Sequence, residues 1–176
     1  VTSFTLDGLI LTNMANFSLT IQGGWTGAGF GVNHSDPSEF NGASLSVIGW
    51  LGAVTIKDIV VDGATVNPTP GGGAILVETA GNITLDHVTV TNSTNWLDGV
   101  TLYNDSSTGT ARVGKNGTGS VTIKNSVINN NGFYGINVES NGAITLKNVV
   151  ANGNLLHGAL LINKQAGSAK PVTISG

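Results

Sequence analysis

The chain contains no cysteine and a single arginine, and only 10% of its 176 residues are charged. Without cysteine, disulfides, thiolate zinc sites and cysteine nucleophiles are excluded. The net charge of -3 leaves too few clustered basic residues for a nucleic-acid surface or an anionic membrane patch. No apolar run reaches the roughly 18 residues that a bilayer span requires. We therefore predict neither a nucleic-acid partner nor insertion into a membrane.

Glycine is abundant, with 26 positions, and the polar residues are mainly Asn, Thr and Ser. This composition is typical of a β-rich protein with many turns, and a chain of this length is expected to form one domain. A low-charge surface of this kind is common outside cells, so we expect an extracellular or cell-surface location. Because the chain opens on Val1 rather than Met, we expect a processed product or an excised segment.

Two short phrases recur and alternate along the chain from about residue 54. The first has the form apolar-Thr-apolar, then a charged residue, a short polar residue and further apolar residues, and it occurs at 54–59, 83–88, 121–126 and 144–149. Phe4–Leu9 opens the chain in the same way, and Val172–Ile174 closes it as a truncated copy. The second phrase is a glycine followed by alternating apolar residues, at 73–77, 99–103, 135–139 and 158–162.

Each phrase has apolar side chains at every second position, which predicts a short strand with one buried face. Thr122 and Thr145 occupy equivalent positions 23 residues apart. The return of like strands in the same direction predicts parallel pairing in a β-solenoid. A β-sandwich of hairpins is the alternative, because Asn-Gly steps such as those at Asn131 and Asn141 could supply its turns.

The alternation also predicts which side chains face the core. Val121 and Ile123 are expected to point inward and Thr122 outward, with Ile56, Leu85, Ile123 and Leu146 stacked inside and a column of threonines outside. The short polar residue of the first phrase is expected at a bend, since Asn and Asp tolerate left-handed backbone conformations. These bend residues are Asp58, His87, Asn125 and Asn148, where His87 is either a substituted bend residue or a catalytic imidazole.

Residues 129–138 and 142–149 resemble the coils of right-handed parallel β-helices of the pectin-lyase-like class, and more narrowly the long bacterial surface proteins of that class. Residues 19–25 and the following loop with Asp36-Pro37 resemble an early coil of those proteins. The resemblance implies an all-β, right-handed parallel β-helix of about six to seven coils with three short strands each. A single domain would cover 1–176, with irregular coils over 1–53, regular coils over 54–176 and a loop insertion at 104–119.

Two irregular segments are the candidate sites, because loops on a rigid scaffold often carry function. Residues 25–42 contain His34, Asp36 and Glu39 together with Trp25 and Phe40, which either stack against sugars or cover the core. Residues 104–119 contain Asp105, Arg112 and Lys115, and their 106–110 stretch is expected to be a mobile, solvated loop rather than a binding finger.

Resemblance to the lyases and hydrolases of this fold would imply clustered or paired aspartates. The nearest approach to a cluster is Asp58, Asp62, Asp86 and Asp98. We place Asp58 and Asp86 in repeat columns where Asn125 and Asn148 replace them in later coils, so they cap bends or, alternatively, bind calcium. We accordingly assign no catalytic, cofactor-binding or metal-binding residue and no cofactor.

The sequence thus favours a non-catalytic extracellular structural or adhesive protein, a rigid rod. Such rods are expected to associate head to tail or to adjoin further coils of a longer chain, because no terminal cap is visible. Surface glycans are a further partner class. The alternatives are a lyase or glycoside hydrolase acting on acidic polysaccharide, and an ice- or glycan-binding solenoid, although among the repeated strands the Thr-x-Thr pair typical of ice-binding arrays occurs only at Thr89–Thr91.

Overall fold

The computed structural model describes residues 9–12, 16–25, 33–65, 72–104, 117–164 and 170–176. These residues form thirteen β-strands and no helix, so they hold no helix that could cross a membrane. The all-β prediction is confirmed. The strands are β1 (Leu9–Thr12), β2 (Leu19–Gln22), β3 (Ser38–Asn41), β4 (Leu45–Trp50), β5 (Val54–Asp62), β6 (Gly73–Thr79), β7 (Ile83–Thr91), β8 (Asp98–Tyr103), β9 (Val121–Asn129), β10 (Ile136–Ser140), β11 (Ile144–Val150), β12 (Ala159–Asn163) and β13 (Val172–Ser175).

The strands form two sheets in which every pairing is parallel. The six-stranded sheet has the order β1-β4-β6-β8-β10-β12, and the seven-stranded sheet has the order β13-β11-β9-β7-β5-β2, with β3 pairing β5. From β4 onward, consecutive strands alternate between the two sheets. The predicted alternation of the two phrases is therefore confirmed, each phrase belonging to its own sheet.

Equivalent residues of the repeats lie side by side in the seven-stranded sheet. Leu85 pairs with Ile56 on one side and Ile123 on the other, and Ile123 pairs with Leu146. All four are buried, as predicted. The intervening threonines form a column that faces outward on the same strands, comprising Thr20, Thr55, Thr84, Thr122, Thr145 and Thr173.

A residue with a left-handed backbone interrupts each long strand of the seven-stranded sheet. These residues are the four predicted bend positions, and their φ angles fall in a narrow range: Asp58 at 54°, His87 at 53°, Asn125 at 50° and Asn148 at 53°. The register continues on both sides of the interruption, since Lys57 pairs with Asp86 and Ile59 with Val88. Asn and Asp are the non-glycine residues that most readily adopt this conformation, and His is also enriched there.

The core lies between the two sheets, and the sheets differ in how fully their residues are buried. Every residue of β6 and β8 is buried, whereas β7 and β9 alternate buried and partly exposed residues. The six-stranded sheet is therefore covered on both faces at its centre. The seven-stranded sheet keeps one solvent face, which is where side chains are free to form sites.

Glycines shortly before β9 and β11 let the chain pass close to its neighbour. A Cβ at Gly119 would lie 2.1 Å from the Gly81 carbonyl oxygen, and one at Gly142 would lie 2.1 Å from the Gly119 carbonyl oxygen. Real Cβ atoms do not approach a backbone oxygen so closely, so only glycine fits at these positions. Gly81, Gly119 and Gly142 thus keep the chain segments before β7, β9 and β11 in contact with one another.

Connections of different length join the six-stranded to the seven-stranded sheet. Residues 80–82 and 141–143 are three-residue connections, whereas residues 104–120 link β8 to β9 across the same gap. The long connection is closed at its base, because the Asn104 carboxamide donates to the Gly119 carbonyl and Asn141 Nδ2 donates to the Gly117 carbonyl at 3.1 Å. Its central residues 105–116, with Asp105, Arg112 and Lys115, lie outside the described residues.

Residues 1–53, predicted to be irregular, contribute four strands to the two sheets. β4 is in register with β6 from Leu45 to Val47, and the register then shifts before Trp50. The predicted strand phrase at Phe4–Leu9 lies mostly outside the described residues, which begin at Leu9.

Candidate functional site

The insertion at 25–42 does not present its two aromatic side chains as one platform. Phe40 is buried in the core, where β3 pairs in parallel with the second half of β5. Trp25, in contrast, is 70% exposed. The core-covering interpretation therefore holds for Phe40, and a sugar platform built from Trp25 and Phe40 together is wrong.

The four aspartates considered as a cluster each have their own contacts. Asp62 accepts hydrogen bonds from Thr91 Oγ1 at 2.6 Å and Asn92 Nδ2 at 2.7 Å. Asp98 accepts from Thr101 Oγ1 at 2.8 Å and Asn137 Nδ2 at 2.9 Å. These two carboxylates thus link neighbouring strands, Asp62 joining β5 to the end of β7 and Asp98 joining β8 to β10.

Asp86 occupies a different repeat column from the one predicted. Its register partners are Lys57 and Lys124, so the prediction that Asn replaces it in later coils is wrong. The error arose because Asp86 and His87 are adjacent, and His87 is the residue that takes the bend. Asp86 instead pairs with Lys124, Nζ lying 3.0 Å from Oδ2.

The structure brings together three side chains that the sequence analysis did not group. One ligand-capable atom each from His34, Asp58 and His87 lies within 4.8 Å of the other two. The four bend residues Asp58, His87, Asn125 and Asn148 form a column across the sheet, here called the left-handed column. Asp58 and His87 are consecutive members of it, while His34 comes from the insertion ahead of β3. His34 Nδ1 lies 2.5 Å from Asp58 Oδ1, and the His34 and His87 ring centroids are 5.1 Å apart.

The cluster is buried at its base and open at its top. The Asp58 side chain is fully buried, whereas the His34 side chain is 60% exposed and that of His87 is 45% exposed. Gln22 Nε2 donates to the second Asp58 oxygen at 3.4 Å. Burying a carboxylate is costly unless a partner compensates its charge, and His34 is the basic group paired with it among the described residues.

A second carboxylate, that of Asp86, orients His87 through the ring nitrogen Nδ1. Asp86 Oδ1 lies 2.9 Å from His87 Nδ1 and accepts from Asn125 Nδ2 at 3.1 Å. Burial alone would raise the pKa of Asp86, but hydrogen bonds from Lys124 and Asn125, together with the charges of Lys124 and His87, hold that pKa below its usual value. Asp86 therefore engages Nδ1 of His87, and Nε2 is the ring nitrogen that this contact does not use.

The rest of the left-handed column carries only amides. Asn148 Nδ2 donates to Asn125 Oδ1 at 3.1 Å, which continues the chain of hydrogen bonds that starts at Asp86. Repeat analysis alone could find Asp58 and His87, since both fill the bend position. It could not find His34, whose approach depends on β3 returning to the second half of β5.

An aromatic row forms a second surface feature, on the connections that lead into β8, β10 and β12. The ring centroids of Trp96 and Phe133 are 6.0 Å apart, those of Phe133 and Tyr134 are 4.6 Å apart, and those of Tyr134 and His157 are 5.8 Å apart. Trp96 is 73% exposed and borders an open groove of about 460 Å³ whose wall includes Asn95.

Backbone strain holds Trp96 in this exposed position. Both Asn95 and Trp96 have left-handed backbones, with φ angles of 56° and 63°. For a bulky residue this conformation is a genuine outlier, and such strain concentrates at sites that bind ligands. The Asn95 side chain stabilises the turn by donating to the Thr65 carbonyl at 2.7 Å.

Comparison with protein-family models, with curated proteins and with solved structures finds no match for this chain. The resemblance to pectin-lyase-like β-helices consequently rests on the repeat pattern alone.

Proposed function

We propose that the chain folds as a right-handed parallel β-helix and serves as a non-catalytic structural or adhesive rod outside the cell. The strands alternate between two parallel sheets, and bonded residues recur at separations of 29, 38 and 23 residues. A chain that winds repeatedly in one direction produces this pattern. Right-handed crossovers are the rule for parallel strands, and the six- and seven-stranded sheets correspond to about six to seven coils.

Parallel pairing also disfavours the sandwich alternative. Hairpins joined by Asn-Gly turns would pair antiparallel, whereas all pairings among the described strands are parallel. Asn131, one of the proposed turn residues, instead lies buried between coils and donates to the Val90 carbonyl at 3.3 Å.

The observation that carries the rod function is the open edge at β13. This strand pairs with β11 on one side and ends the seven-stranded sheet. All four of its residues are exposed, including Val172 at 46% and Ile174 at 71%. These residues continue the core column of Ile144 and Leu146. An apolar edge with unpaired backbone groups is a template for another parallel strand.

We propose that this edge joins the next coil, from a second copy in a head-to-tail filament or from adjoining coils of a longer chain. A heterologous contact of this type propagates unless a rotation closes it. Light scattering over a concentration series should show growing assemblies. Electron microscopy should show fibres with an axial repeat near 4.8 Å multiplied by the number of coils, roughly 30 Å.

Ile174→Lys should abolish this association, because it places a charge on the apolar edge. Thr122→Lys is the matched control, since Thr122 faces outward in the middle of the same sheet and should leave association unchanged. A wild-type chain that stays monodisperse at high concentration contradicts the filament and leaves adjoining coils as the occupant of the edge.

The aromatic row supports the adhesive part of the proposal, with surface glycans as the partner class. Sugar rings stack on aromatic faces, and amides such as Asn95 supply hydrogen bonds beside them. A glycan array should show binding that Trp96→Gly removes. Because glycine relieves the left-handed strain, this variant should unfold at the same or a higher denaturant concentration than wild type.

Trp25→Gly is the control for nonspecific stacking, because Trp25 is about as exposed as Trp96 but is not a member of the ring pairs that form the aromatic row. It should leave glycan binding unchanged. Equal loss of binding in both variants, or no binding by wild type across the array, contradicts an adhesive role for the row.

The enzymatic alternative is tested by incubation with pectin, alginate and related polymers, with and without calcium. We expect neither unsaturated products nor new reducing ends, because Asp62 and Asp98 each accept hydrogen bonds from neutral side chains rather than facing a second carboxylate across a cleft. Calcium-dependent product release that Arg112→Ala abolishes would favour a lyase instead. A single threonine column also gives an ice-binding surface less support than paired columns would.

A further inference from the structure

We propose that His34, Asp58 and His87 form a binding site for a divalent transition-metal ion of the zinc class. One ligand atom from each residue already lies within 4.8 Å of the others, and two imidazoles with one carboxylate are a donor set typical of such ions. Three protein ligands leave a further coordination position. The exposed histidine rings place that position at the solvent side, above the buried carboxylate.

The fold fixes two of the three ligands with little freedom. Asp58 and His87 occupy equivalent left-handed positions on adjacent strands, and the pairs on either side of them keep β5 and β7 in register. Side chains on rigid strands are held more precisely than side chains on loops. The third ligand, His34, lies four residues before β3, which is itself anchored to the second half of β5.

His87 has the supporting contact that metal-bound histidines generally use. Its Nδ1 lies 2.9 Å from Asp86 Oδ1, and Lys124 and Asn125 hold that carboxylate in place. A ligating histidine usually donates its other ring N–H to a carboxylate or carbonyl, which fixes the tautomer and makes the ligating nitrogen more basic. Asp86 is therefore a positioning residue, and Nε2 is the nitrogen that His87 offers.

The metal would replace the short contact between His34 and Asp58. These groups lie 2.5 Å apart at Nδ1 and Oδ1, so a small outward movement of the exposed His34 ring admits an ion between them. The ion would place positive charge beside the buried Asp58 carboxylate. It would also link the part of the insertion at 25–42 that carries His34 to β5 and β7, in addition to the β3–β5 pairing.

Isothermal titration with zinc chloride tests the site directly. Wild type should bind one Zn²⁺ per chain, and Co²⁺ should give the visible absorption of a low-coordinate nitrogen and oxygen site. His87→Asn and Asp58→Asn should each weaken binding by at least tenfold. Both variants place asparagine at a bend position, as the chain itself does at 125 and 148, so the backbone is preserved.

His157→Gln is the matched control, because His157 is the chain's third histidine and lies in the aromatic row instead. It should bind Zn²⁺ as wild type does. Asp86→Asn should lower the affinity by roughly 10- to 100-fold while one ion per chain still binds. Zn²⁺ should raise the melting temperature of wild type and of His157→Gln but not of His87→Asn.

The site is refuted if wild type shows no saturable zinc binding at micromolar concentrations, or if His87→Asn and Asp58→Asn bind as wild type does. Loss of binding in His157→Gln would place the ion elsewhere. Competition by Ca²⁺ or Mg²⁺ at concentrations equal to Zn²⁺ would overturn the assignment to the zinc class, because those ions require oxygen ligands.

Discussion

The left-handed column has two halves, Asp58 with His87 and Asn125 with Asn148. They share one backbone conformation and differ in side-chain chemistry. Asp58 and His87 have φ angles within a few degrees of those of Asn125 and Asn148. Asn148 bonds to Asn125, which in turn donates to Asp86, whereas Asp58 and His87 meet His34. The backbone therefore selects the small set of residues that tolerate this conformation, and the neighbouring loop determines what a member of that set can do.

The largest effect should come from the core that both halves share. Ile123→Asp places a charge without a partner among residues that are completely buried, so we expect the variant not to fold. Circular dichroism and thermal melting measure this. Thr122→Asp on the outward face should melt close to wild type. An Ile123→Asp chain that melts within a few degrees of wild type would show that the two halves do not rest on a common core.

A smaller effect should follow from forcing the two halves apart. Gly119 lies in the connection before β9 and packs against Gly81 before β7, which are the strands that carry Asn125 and His87. Gly119→Ala puts a Cβ against a carbonyl oxygen, so we expect a loss of about 1–3 kcal/mol in the free energy of unfolding. Denaturant titration measures it, with Ser120→Ala as control. If Gly119→Ala left the free energy of unfolding unchanged, the chain segments before β7 and β9 would not be in contact.

Exchanging residues within the column should have a modest effect that depends on which half changes. Asn125→Ala leaves a left-handed residue without its polar side chain, and we expect a loss of about 1–2 kcal/mol. His87→Asn should change stability in metal-free buffer by less than about 0.5 kcal/mol. Denaturant titration in the presence of a chelator compares them. A large loss in His87→Asn would mean that the histidine is structural, and the comparison of halves would fail.

The smallest effect concerns another buried carboxylate, that of Asp98, which has neutral donors where Asp58 has a histidine. Burial raises the pKa of Asp98 above the usual 3.8, although hydrogen bonds from Asn137, Thr101 and the Tyr134 amide oppose the rise. A raised folded-state pKa means that the folded chain binds the proton more tightly than the unfolded chain does. The stabilisation from this group is therefore complete below 3.8 and is lost as the pH rises through the folded-state value.

The stability of wild type relative to Asp98→Asn should accordingly decline as the pH rises from about 3 to 7. Paired denaturant titrations along this range isolate the contribution, because groups common to both chains cancel. A difference that is constant or that grows with pH would mean that the hydrogen bonds outweigh burial.

Periodicity in the sequence was sufficient to predict the strands from residue 54 onward, their inward residues and the four bend positions, but not β3 and β4. Those features depend on side chains within one strand and its repeat, so the information is local. The prediction that places Asp86 in a column with Asn125 and Asn148 is wrong, because the adjacent His87 occupies that column and Asp86 is in register with lysines. His34 and Trp96 could not be predicted, since one depends on a loop returning to a distant strand and the other on strain in its own backbone.

The unequal connections between β8 and β9 and between β10 and β11 have a consequence for how such a chain can change. Seventeen residues join β8 to β9 and three join β10 to β11, and both connections lead from the six-stranded to the seven-stranded sheet. The strands β7, β9 and β11 nevertheless keep the same register. Loop-closure entropy grows by only about 0.6 kcal/mol for each doubling of length, and Asn104 ties the base of the long connection. Residues 105–116 are therefore a natural position at which to graft a foreign epitope, or to vary a recognition sequence over evolution, without retuning the scaffold beneath it.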